Sequence, residues 1–346
     1  MRFLNDDQNQ DRFDAHSSKI LAFDIGGTKL AAGIVNESGE CKNFTSIPTQ
    51  REDGPKKVIP RLLKLGEQVM GDEKGIRAIG ISCGGPLNAN TGVLIGPPHL
   101  PGWTNIAITQ IATNHFGLPA YLDNDATAAA LGEAWYGAGA SASSMIYLTI
   151  STGVGGGIVI DGRPYRGATG NGGELGHITV RPGGRLCSCK RHGCLEAYCS
   201  GRNIARRAQI KLDEASSLGQ VSSLSLIDDI TAADVSRETA AGDWVASTVW
   251  NETTSILGQA LTDLVNAFEP EVAILGGGVT RAGAMLLDPV RAIVKENAME
   301  PIAQKARIVL ASLGDEVGVI GAGAIAFDRL GITRSDILTD KEERNK

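Results

Sequence analysis

Short apolar runs rich in β-branched residues recur along this chain, and most of them end in glycine or in an acidic residue. The clearest are KILAFDIGG (19–27), AIGISCGG (78–85), AYLDND (120–125), MIYLTIS (145–151), VAILGGG (272–278) and RIVLASLG (307–314). Helical patterns lie between several of these runs, and in the clearest one apolar residues recur at three-and-four spacing from Ile256 to Phe268. Buried strands that alternate with helices indicate an α/β fold.

The 346 residues are enough for two domains with full cores. We predict a small α/β domain over 19–136, completed by a C-terminal helix near 318–330. A large α/β domain is predicted over 137–317. The glycine- and serine-rich stretch 137–144 is the candidate hinge between them.

The two ends of the chain are polar. Residues 1–18 hold no apolar run of signal-peptide length, so we predict a polar tail there and a charged tail over 333–346. No stretch reaches the roughly 18 apolar residues that span a bilayer. The net charge of −6 and the lack of a basic cluster argue against a nucleic-acid surface. These features predict a cytoplasmic protein without membrane or nucleic-acid partners.

Glycine is unusually frequent, at 44 of 346 residues, where an average protein has about 7 per cent. Two glycine-rich turns are alike, since FDIGGTKLAAGIV (23–35) and LTISTGVGGGIVIDG (148–162) both read as strand, turn, strand. Each alone is compatible with a plain hairpin, but backbone N–H groups and hydroxyls in such turns also bind phosphate oxygens. The pair, with Asp24 and Lys29 in the first, favours phosphate binding, one turn from each predicted domain.

Other nucleotide motifs fit less well. The P-loop pattern G-x-x-x-x-G-K-[ST] is absent. GAGAIA (321–326) satisfies G-x-G-x-x-A, but too little chain follows for the next strand and its ribose-binding acid, so a Rossmann site is not predicted. GGG at 276–278 is interpreted as a close backbone approach to a flat group such as a nucleotide base or ribose.

Three of the six cysteines lie in CSCKRHGC (187–194), and His177 precedes this segment by ten residues. A disulfide or a redox site is possible for such a cluster, but reduced cytoplasmic thiols favour a metal. Cys199 is a competing ligand, whereas Cys41 and Cys83 are expected only to pack. The residues that would complete a tetrahedral Zn²⁺ site are His177, Cys187, Cys189 and Cys194. Four protein ligands leave no open position, so the zinc is predicted to be structural.

The motifs together resemble those of the ROK family of sugar kinases and sugar-responsive repressors. They are DIGGTK, GISCGGPLN, HLPGW, DNDATAAALGE, STGVGGG, GELGH with CSCKRHGCLE, and LVNAFEPEVAILGGG. The resemblance runs from about residue 19 to residue 328. The resemblance implies the actin-like ATPase (ribonuclease H-like) two-domain sugar kinase fold, with the active site in a cleft between the domains. It also implies a homodimer or homotetramer.

The resemblance assigns a role to each matching sugar-site residue. Asp125 is similar to the catalytic base and Asn124 to a sugar ligand, although position alone favours a helix N-cap for Asp125. A carboxylate there would orient the sugar hydroxyl and accept its proton. The implied substrate-binding residues are Gly85, His99, Asn124, Asp125, Glu174, His177 and Glu196. Zinc would order the loop that carries the last three.

The nucleotide side is implied in the same way. Asp24 would hold Mg²⁺ through water, Thr28 and Thr152 would bind phosphates, and Gly277 and Gly278 would lie at the adenosine. The full implied ATP-binding set is Asp24, Gly26, Gly27, Thr28, Lys29, Thr152, Gly153, Gly155, Gly277 and Gly278.

The function implied is ATP-dependent phosphorylation of a hexose, with glucose to glucose 6-phosphate favoured. N-acetylmannosamine, N-acetylglucosamine and fructose are alternative substrates, and a sugar-responsive regulator is the alternative class, disfavoured because only about eighteen polar residues precede the first strand. The chain departs from the family at His99, where asparagine is common, and at Cys83, Thr127 and Lys190. The change at His99 bears most directly on the choice of sugar.

Overall fold

The computed structural model describes residues 18–333, so the two predicted tails lie outside the described residues apart from positions 18 and 333. The described chain divides into two compact units, each with its own hydrophobic core. The first comprises the described residues up to Ser141, Val159–Gly172 and those from Ser312; the second comprises Ala142–Ile158 and Gly173–Ala311. The first crossing lies inside the stretch 137–144. The predicted large domain was continuous over 137–317, whereas Val159–Gly172 counts with the first unit.

The first unit is built on a five-stranded sheet. Its strands are β1 (Lys19–Ile25), β2 (Lys29–Asn36), β3 (Cys41–Pro48), β4 (Ile76–Cys83) and β7 (Ala120–Asn124). They lie in the order β3-β2-β1-β4-β7, with β1, β2 and β3 antiparallel and with β4 and β7 parallel to β1. The short strands β5 (Leu87–Asn88) and β6 (Val93–Leu94) form a separate pair. The central strands are apolar and buried, while the edge strand β3 is largely exposed.

Four helices cover this sheet. They are α1 (Pro55–Met70), α2 (Ile108–Phe116), α3 (Asp125–Tyr136) and α10 (Val317–Arg329). Helix α10 packs against α3, β4 and β1. A Cβ on Gly80 would lie 1.9 Å from the carbonyl oxygen of Ala322, and a Cβ on Gly321 would lie 2.3 Å from that of Ala128. The glycines of GAGAIA therefore serve close packing of a buried helix.

The second five-stranded sheet has the same layout, and it belongs to the second unit except for the part within Val159–Gly172, which counts with the first unit. Its strands are β8 (Met145–Ile150), β9 (Val154–Ile160), β10 (Arg163–Pro164), β11 (Val272–Gly276) and β12 (Arg307–Leu310). Their order is β10-β9-β8-β11-β12, with β8, β11 and β12 parallel. In both sheets, two strands joined by a glycine-rich turn are followed in the chain by two strands that run parallel to the first. The two similar glycine-rich turns, at 26–28 and 151–153, therefore occupy equivalent positions in the two sheets.

The remaining helices belong to the second unit. They are α4 (Glu196–Cys199), α5 (Gly201–Ser217), α6 (Ala232–Ala240), α7 (Trp244–Phe268), α8 (Ala284–Asn297) and α9 (Ile302–Lys305). The predicted apolar stripe lies on α7 and is buried from Ile256 to Val265, whereas Phe268 at the helix end is 42% exposed. Among residues 18–333, no helix combines the length and apolarity needed to cross a bilayer.

Candidate active site

The first glycine turn joins β1 to β2. Gly26 N donates to Lys29 O at 3.0 Å, which closes the turn. Thr49, fully buried at the end of β3, supports it from behind: its Oγ1 donates to Gly26 O at 2.7 Å, and its N donates to Thr28 O at 2.9 Å. Thr28 itself is exposed. Thr49 belongs to none of the motifs recognised in the sequence. Its hydroxyl fixes the turn and leaves the Thr28 side chain available to a ligand.

Asp24 lies at the end of β1, directly before this turn. Its Oδ1 accepts a hydrogen bond from Ser82 Oγ at 2.6 Å. A Cβ on Gly318 of α10 would lie 2.5 Å from its carboxyl carbon, so only glycine fits there. Burial raises the pKa of Asp24; the Ser82 hydrogen bond opposes this, and the charge of Asp125 raises the pKa further. The two carboxylates therefore share a negative region that favours a cation.

Asn124 and Asp125 stand where β7 passes into α3. Asn124 is the N-cap, since its Oδ1 accepts from Ala126 N at 2.9 Å and from Thr127 N at 3.3 Å. Asp125 is the first residue of the helix; its side chain is exposed, and its Oδ1 accepts from Ala126 N at 2.8 Å. The N-cap role considered for Asp125 thus falls to its neighbour.

The other predicted sugar residues of the first unit lie close by. A Cβ on Gly85 would lie 3.6 Å from Asn124 Nδ2 and 3.9 Å from Asn171 Oδ1. The ring of His99 packs against both glycine segments, because a Cβ on Gly84 would lie 2.5 Å from its Cε1 and a Cβ on Gly27 would lie 3.4 Å from its Cδ2. Burial lowers the pKa of His99, although a hydrogen bond with the Ile25 backbone opposes this. A neutral imidazole therefore lies against Gly27 of the first glycine turn as well as beside Gly84.

The cysteine cluster is compact. The ligand atoms of His177, Cys187, Cys189 and Cys194 all lie within 4.8 Å of one another. The Cys189 and Cys194 sulfurs are 3.6 Å apart, as are Cys187 Sγ and His177 Nδ1. Ligands of one tetrahedral zinc lie roughly 3.3–3.8 Å apart, and these two pairs match that spacing. Three thiols and one imidazole are also a donor set that suits this ion. All six cysteines are free thiols.

The structure also describes Cys199, Lys190 and Cys194, which the sequence analysis singled out. Cys199 is buried and its Sγ donates to Thr253 O at 3.6 Å, so this competing ligand lies outside the cluster. Lys190 has φ 69°, a left-handed conformation that favours glycine. Burial, with hydrogen bonds to the neighbouring thiols, raises the pKa of Cys194 to about 12. A bound cation would be needed to hold it as a thiolate.

Glu196 joins the cluster to the second glycine turn. Its Oε1 accepts from Ser188 Oγ at 2.5 Å, and its Oε2 accepts from Val154 N at 3.1 Å. A Cβ on Gly153 would lie 2.7 Å from Glu196 Oε2. On the other side, His177 Nε2 is 3.9 Å from the exposed carboxylate of Glu174. The three predicted sugar residues of the second unit are thus connected through the cysteine cluster.

A cavity of about 680 Å³ opens beside this turn, within the second unit. Its size suits a small-molecule ligand. Thr152 and Gly278 line it as predicted positions, together with Ser151, Gly201, Arg202, Ala205, Ile230, Thr231, Ala232, Ala233, Ser236, Val279, Arg281 and Ala282. The walls from α5 and α6 carry no sequence motif and were not predicted.

Two predicted glycines have other surroundings. Gly277 has φ 88° and a Cβ there would lie 2.5 Å from Ile150 O, so it packs against β8 and does not line the cavity. Gly155 lies inside β9. Neither glycine lines the cavity.

The sequence profile of the ROK family matches residues 20–329, so the chain belongs to this family. A glucokinase of Halalkalibacterium halodurans is 36% identical over 312 residues, 88% of this chain and 93% of that protein. A glucokinase of Thermotoga maritima is 32% identical over 316 residues, 90% of this chain and 98% of that protein. A Streptomyces griseus ROK family glucokinase, in complex with glucose and AMPPNP, is 31% identical with a TM-score of 0.75, covering 88% of this chain and 98% of that chain.

Two further relatives carry other names. An N-acetylmannosamine kinase of Citrobacter koseri is 32% identical over 88% of this chain and 98% of that protein. A xylose repressor of Caldicellulosiruptor bescii is 32% identical over 89% of this chain and 78% of that protein. With the fold and the kinase relatives, the chain is an ATP-dependent sugar kinase of the actin-like fold.

Proposed function

We propose that this kinase transfers the γ-phosphoryl group of ATP to glucose, giving glucose 6-phosphate, with Asp125 as the base. The observation that carries the proposal is the exposed carboxylate of Asp125 at the end of β7, beside Asn124 and Gly85. The glucokinase relatives and the glucose complex of a similar structure support this choice of sugar.

Asp125 acts on the hydroxyl that is phosphorylated. Phosphoryl transfer passes through a loose transition state, so the protein mainly positions groups and neutralises charge. Asp125 orients the sugar hydroxyl and accepts its proton while the new O–P bond forms and ADP leaves. Asn124 Nδ2, Gly85 and His99 are proposed to contact the sugar from the same unit, and Glu174, His177 and Glu196 to bind further hydroxyls.

The nucleotide is assigned to the glycine turns and the cavity. Thr28 and the N–H groups of Gly27 and Lys29 bind phosphate oxygens, as do Thr152, Gly153 and Gly155 of the second turn. The N–H of Gly26 is already bonded to Lys29 O and shapes the turn instead. The adenosine occupies the 680 Å³ cavity beside Gly278. Mg²⁺ bound with ATP would neutralise phosphate charge, and Asp24 is proposed to hold it through water.

Zinc is proposed at His177, Cys187, Cys189 and Cys194, where it would cross-link a glycine-rich segment. Its support is the fit of the four ligand atoms. The sugar itself is proposed to be bound by the residues. His177 Nδ1 faces the cysteine cluster, whereas His177 Nε2 faces Glu174 and so lies on the side of another proposed sugar ligand.

Assembly as a homodimer or homotetramer is proposed on the family resemblance. Light scattering of the purified protein measures its mass in solution and so tests this directly. A monomer at micromolar concentration would contradict it.

A panel of sugars tests the substrate. Purified protein is given Mg-ATP with glucose, N-acetylmannosamine, N-acetylglucosamine or fructose, and ADP release is followed by a coupled assay. We expect the highest kcat/KM with glucose. A higher value with N-acetylmannosamine would favour the function named for the Citrobacter koseri relative, and no ADP release with any sugar would contradict the proposed activity.

A further inference from the structure

Arg166 bridges two acidic residues that are distant in sequence. Its Nε donates to Asp123 Oδ2 at 2.6 Å, and its Nη2 donates to Asp328 Oδ2 at 3.1 Å. Asp123 has no exposed side-chain surface, while Arg166 and Asp328 are 20% and 17% exposed. The guanidinium therefore ties the end of β7 to α10 through a largely buried pair of ion pairs.

The Asp123 carboxylate, which binds Arg166, also binds the backbone of the proposed active site. Its Oδ1 accepts from Asn124 N at 2.9 Å. Burial raises the pKa of Asp123, and the charge of Arg166 opposes that rise. A carboxylate buried without its partner would be costly, so this geometry depends on Arg166. The bond to Asn124 N fixes the peptide from which Asn124 and then Asp125 project.

The backbone of Arg166 makes a second connection. Its carbonyl oxygen accepts from Gly172 N at 2.8 Å and closes the segment 166–172 into a loop. A Cβ on Gly172 would lie 2.9 Å from the Arg166 carbonyl carbon, so a side chain there would open the loop. This loop carries Asn171, whose Oδ1 lies near Gly85, as does Asn124 Nδ2.

We propose that Arg166 is a positioning residue for phosphoryl transfer: through Asp123 it holds Asn124 and Asp125, and through its own carbonyl it places Asn171 beside the same sugar-facing spot. The inference rests on the proposed role of Asp125. It assigns Arg166 to the sugar side of the reaction, because the two asparagines that it reaches, Asn124 and Asn171, both lie near Gly85.

The test compares Arg166→Met and Arg166→Lys with wild type, using glucose and Mg-ATP. Small displacements of positioning groups are expensive, so we expect Arg166→Met to lower kcat/KM for glucose by about tenfold or more, with the KM for ATP changed by less than about twofold. Lysine keeps the charge without the planar fork, so Arg166→Lys should fall between the two. Arg163→Met, an exposed arginine on β10, is the matched control and should behave as wild type.

A double variant separates positioning from stability. Asp123→Asn with Arg166→Met removes the uncompensated buried charge, so its melting temperature should rise above that of Arg166→Met, while kcat/KM for glucose stays low. Recovery of both quantities would overturn the proposal, and so would wild-type kcat/KM in Arg166→Met or an equal loss in Arg163→Met. If Arg166→Met fails to fold, a wild-type kcat/KM in Arg166→Lys overturns it. Asp125→Asn, measured in parallel, reports on the base itself and keeps the two proposals distinguishable.

Discussion

Asp123, Asn124 and Asp125, at the end of β7 and the start of α3, have different contacts and different exposure. The Asn124 side chain satisfies two N–H groups at the start of α3, and the carboxylate of Asp125 then stands in the first turn of the helix, where a negative charge is favoured. Asp123, on their other side, is buried and paired with Arg166. Three consecutive polar residues thus have three distinct surroundings, and Asp125 alone among them is classed as exposed.

Asp125→Asn should lower kcat by about three orders of magnitude, because the amide can bond a hydroxyl but cannot take its proton. Glucose binding, measured by calorimetry, should largely survive. Asp72→Asn, at an exposed position after α1, is the control and should retain full activity. A loss of less than tenfold would remove Asp125 from the role of base.

Asp24 should cost stability at neutral pH. Its pKa in the folded protein is raised by burial above the usual value of 3.8, so the stability it contributes is present at low pH and is lost as the pH rises through the raised value. Asp24→Asn should therefore melt higher than wild type at pH 7 without ligands. A rise of roughly 2–4 °C corresponds to about 1 kcal/mol in a protein of this kind.

The difference in melting temperature should shrink as the pH falls towards 4, because the wild-type carboxyl then binds its proton. Kinase activity of the variant should drop, since Asp24 is proposed to hold Mg²⁺. A variant that melts lower than wild type at pH 7 would contradict the assigned cost of burial.

At the scale of elements, the segment 177–196 connects the cysteine cluster, the proposed sugar ligands His177 and Glu196, and the second glycine turn. Its backbone folds back on itself through hydrogen bonds that include Cys187 N to Arg191 O and Gly193 N to Arg185 O, both at 2.8 Å. Glu196 at its end reaches Val154 of the second glycine turn. A loss of order in the cluster should therefore affect sugar binding most, and phosphate binding to a smaller extent.

Cys189→Ser should lose zinc and raise the KM for glucose by about tenfold or more, with a smaller rise in the KM for ATP. Elemental analysis should find about one zinc per chain in wild type. Cys199→Ser, whose thiol lies outside the cluster, is the matched control and should keep its metal. An unchanged glucose KM in zinc-free Cys189→Ser would break the proposed link between metal and sugar.

The elements that sequence analysis predicts are those whose signal is local. All six apolar runs form strands, and both glycine turns form hairpins, because turn chemistry and burial are written in adjacent residues. Arg166 carries no such signal: its two partners lie 43 and 162 positions away. The cavity walls from α5 and α6 and the support by Thr49 likewise arise only when distant segments pack together.

At the scale of the whole molecule, Glu133 binds the backbone at two of the places where the chain passes between the units. These are the first passage, after Ser141, and the last, after Ala311. Its side chain is fully buried near the end of α3. Oε2 accepts from Ala138 N at 2.7 Å, shortly before the crossing at Ser141. Oε1 accepts from Ser312 N and Leu313 N, both at 2.9 Å, directly after the return. One carboxylate thus satisfies three backbone donors at two crossings.

Glu133→Gln should destabilise the protein by about 1–3 kcal/mol, because the amide NH₂ must face a buried N–H donor in either orientation. Urea unfolding measures this. Glu52→Gln, whose side chain is 78% exposed, is the control and should change stability little. Equal stability of both variants would show that the hydrogen bonds of Glu133 are dispensable.

Helix α10 packs on α3, β4 and β1, although the residues of the second unit lie between them and α10 in the sequence. A ribosome therefore releases the strands of the first sheet long before the helix that covers them is synthesised. The second unit, by contrast, is complete at Ala311. We expect a nascent chain to mature in the reverse of its order of synthesis, with its N-terminal sheet exposed to chaperones until α10 emerges.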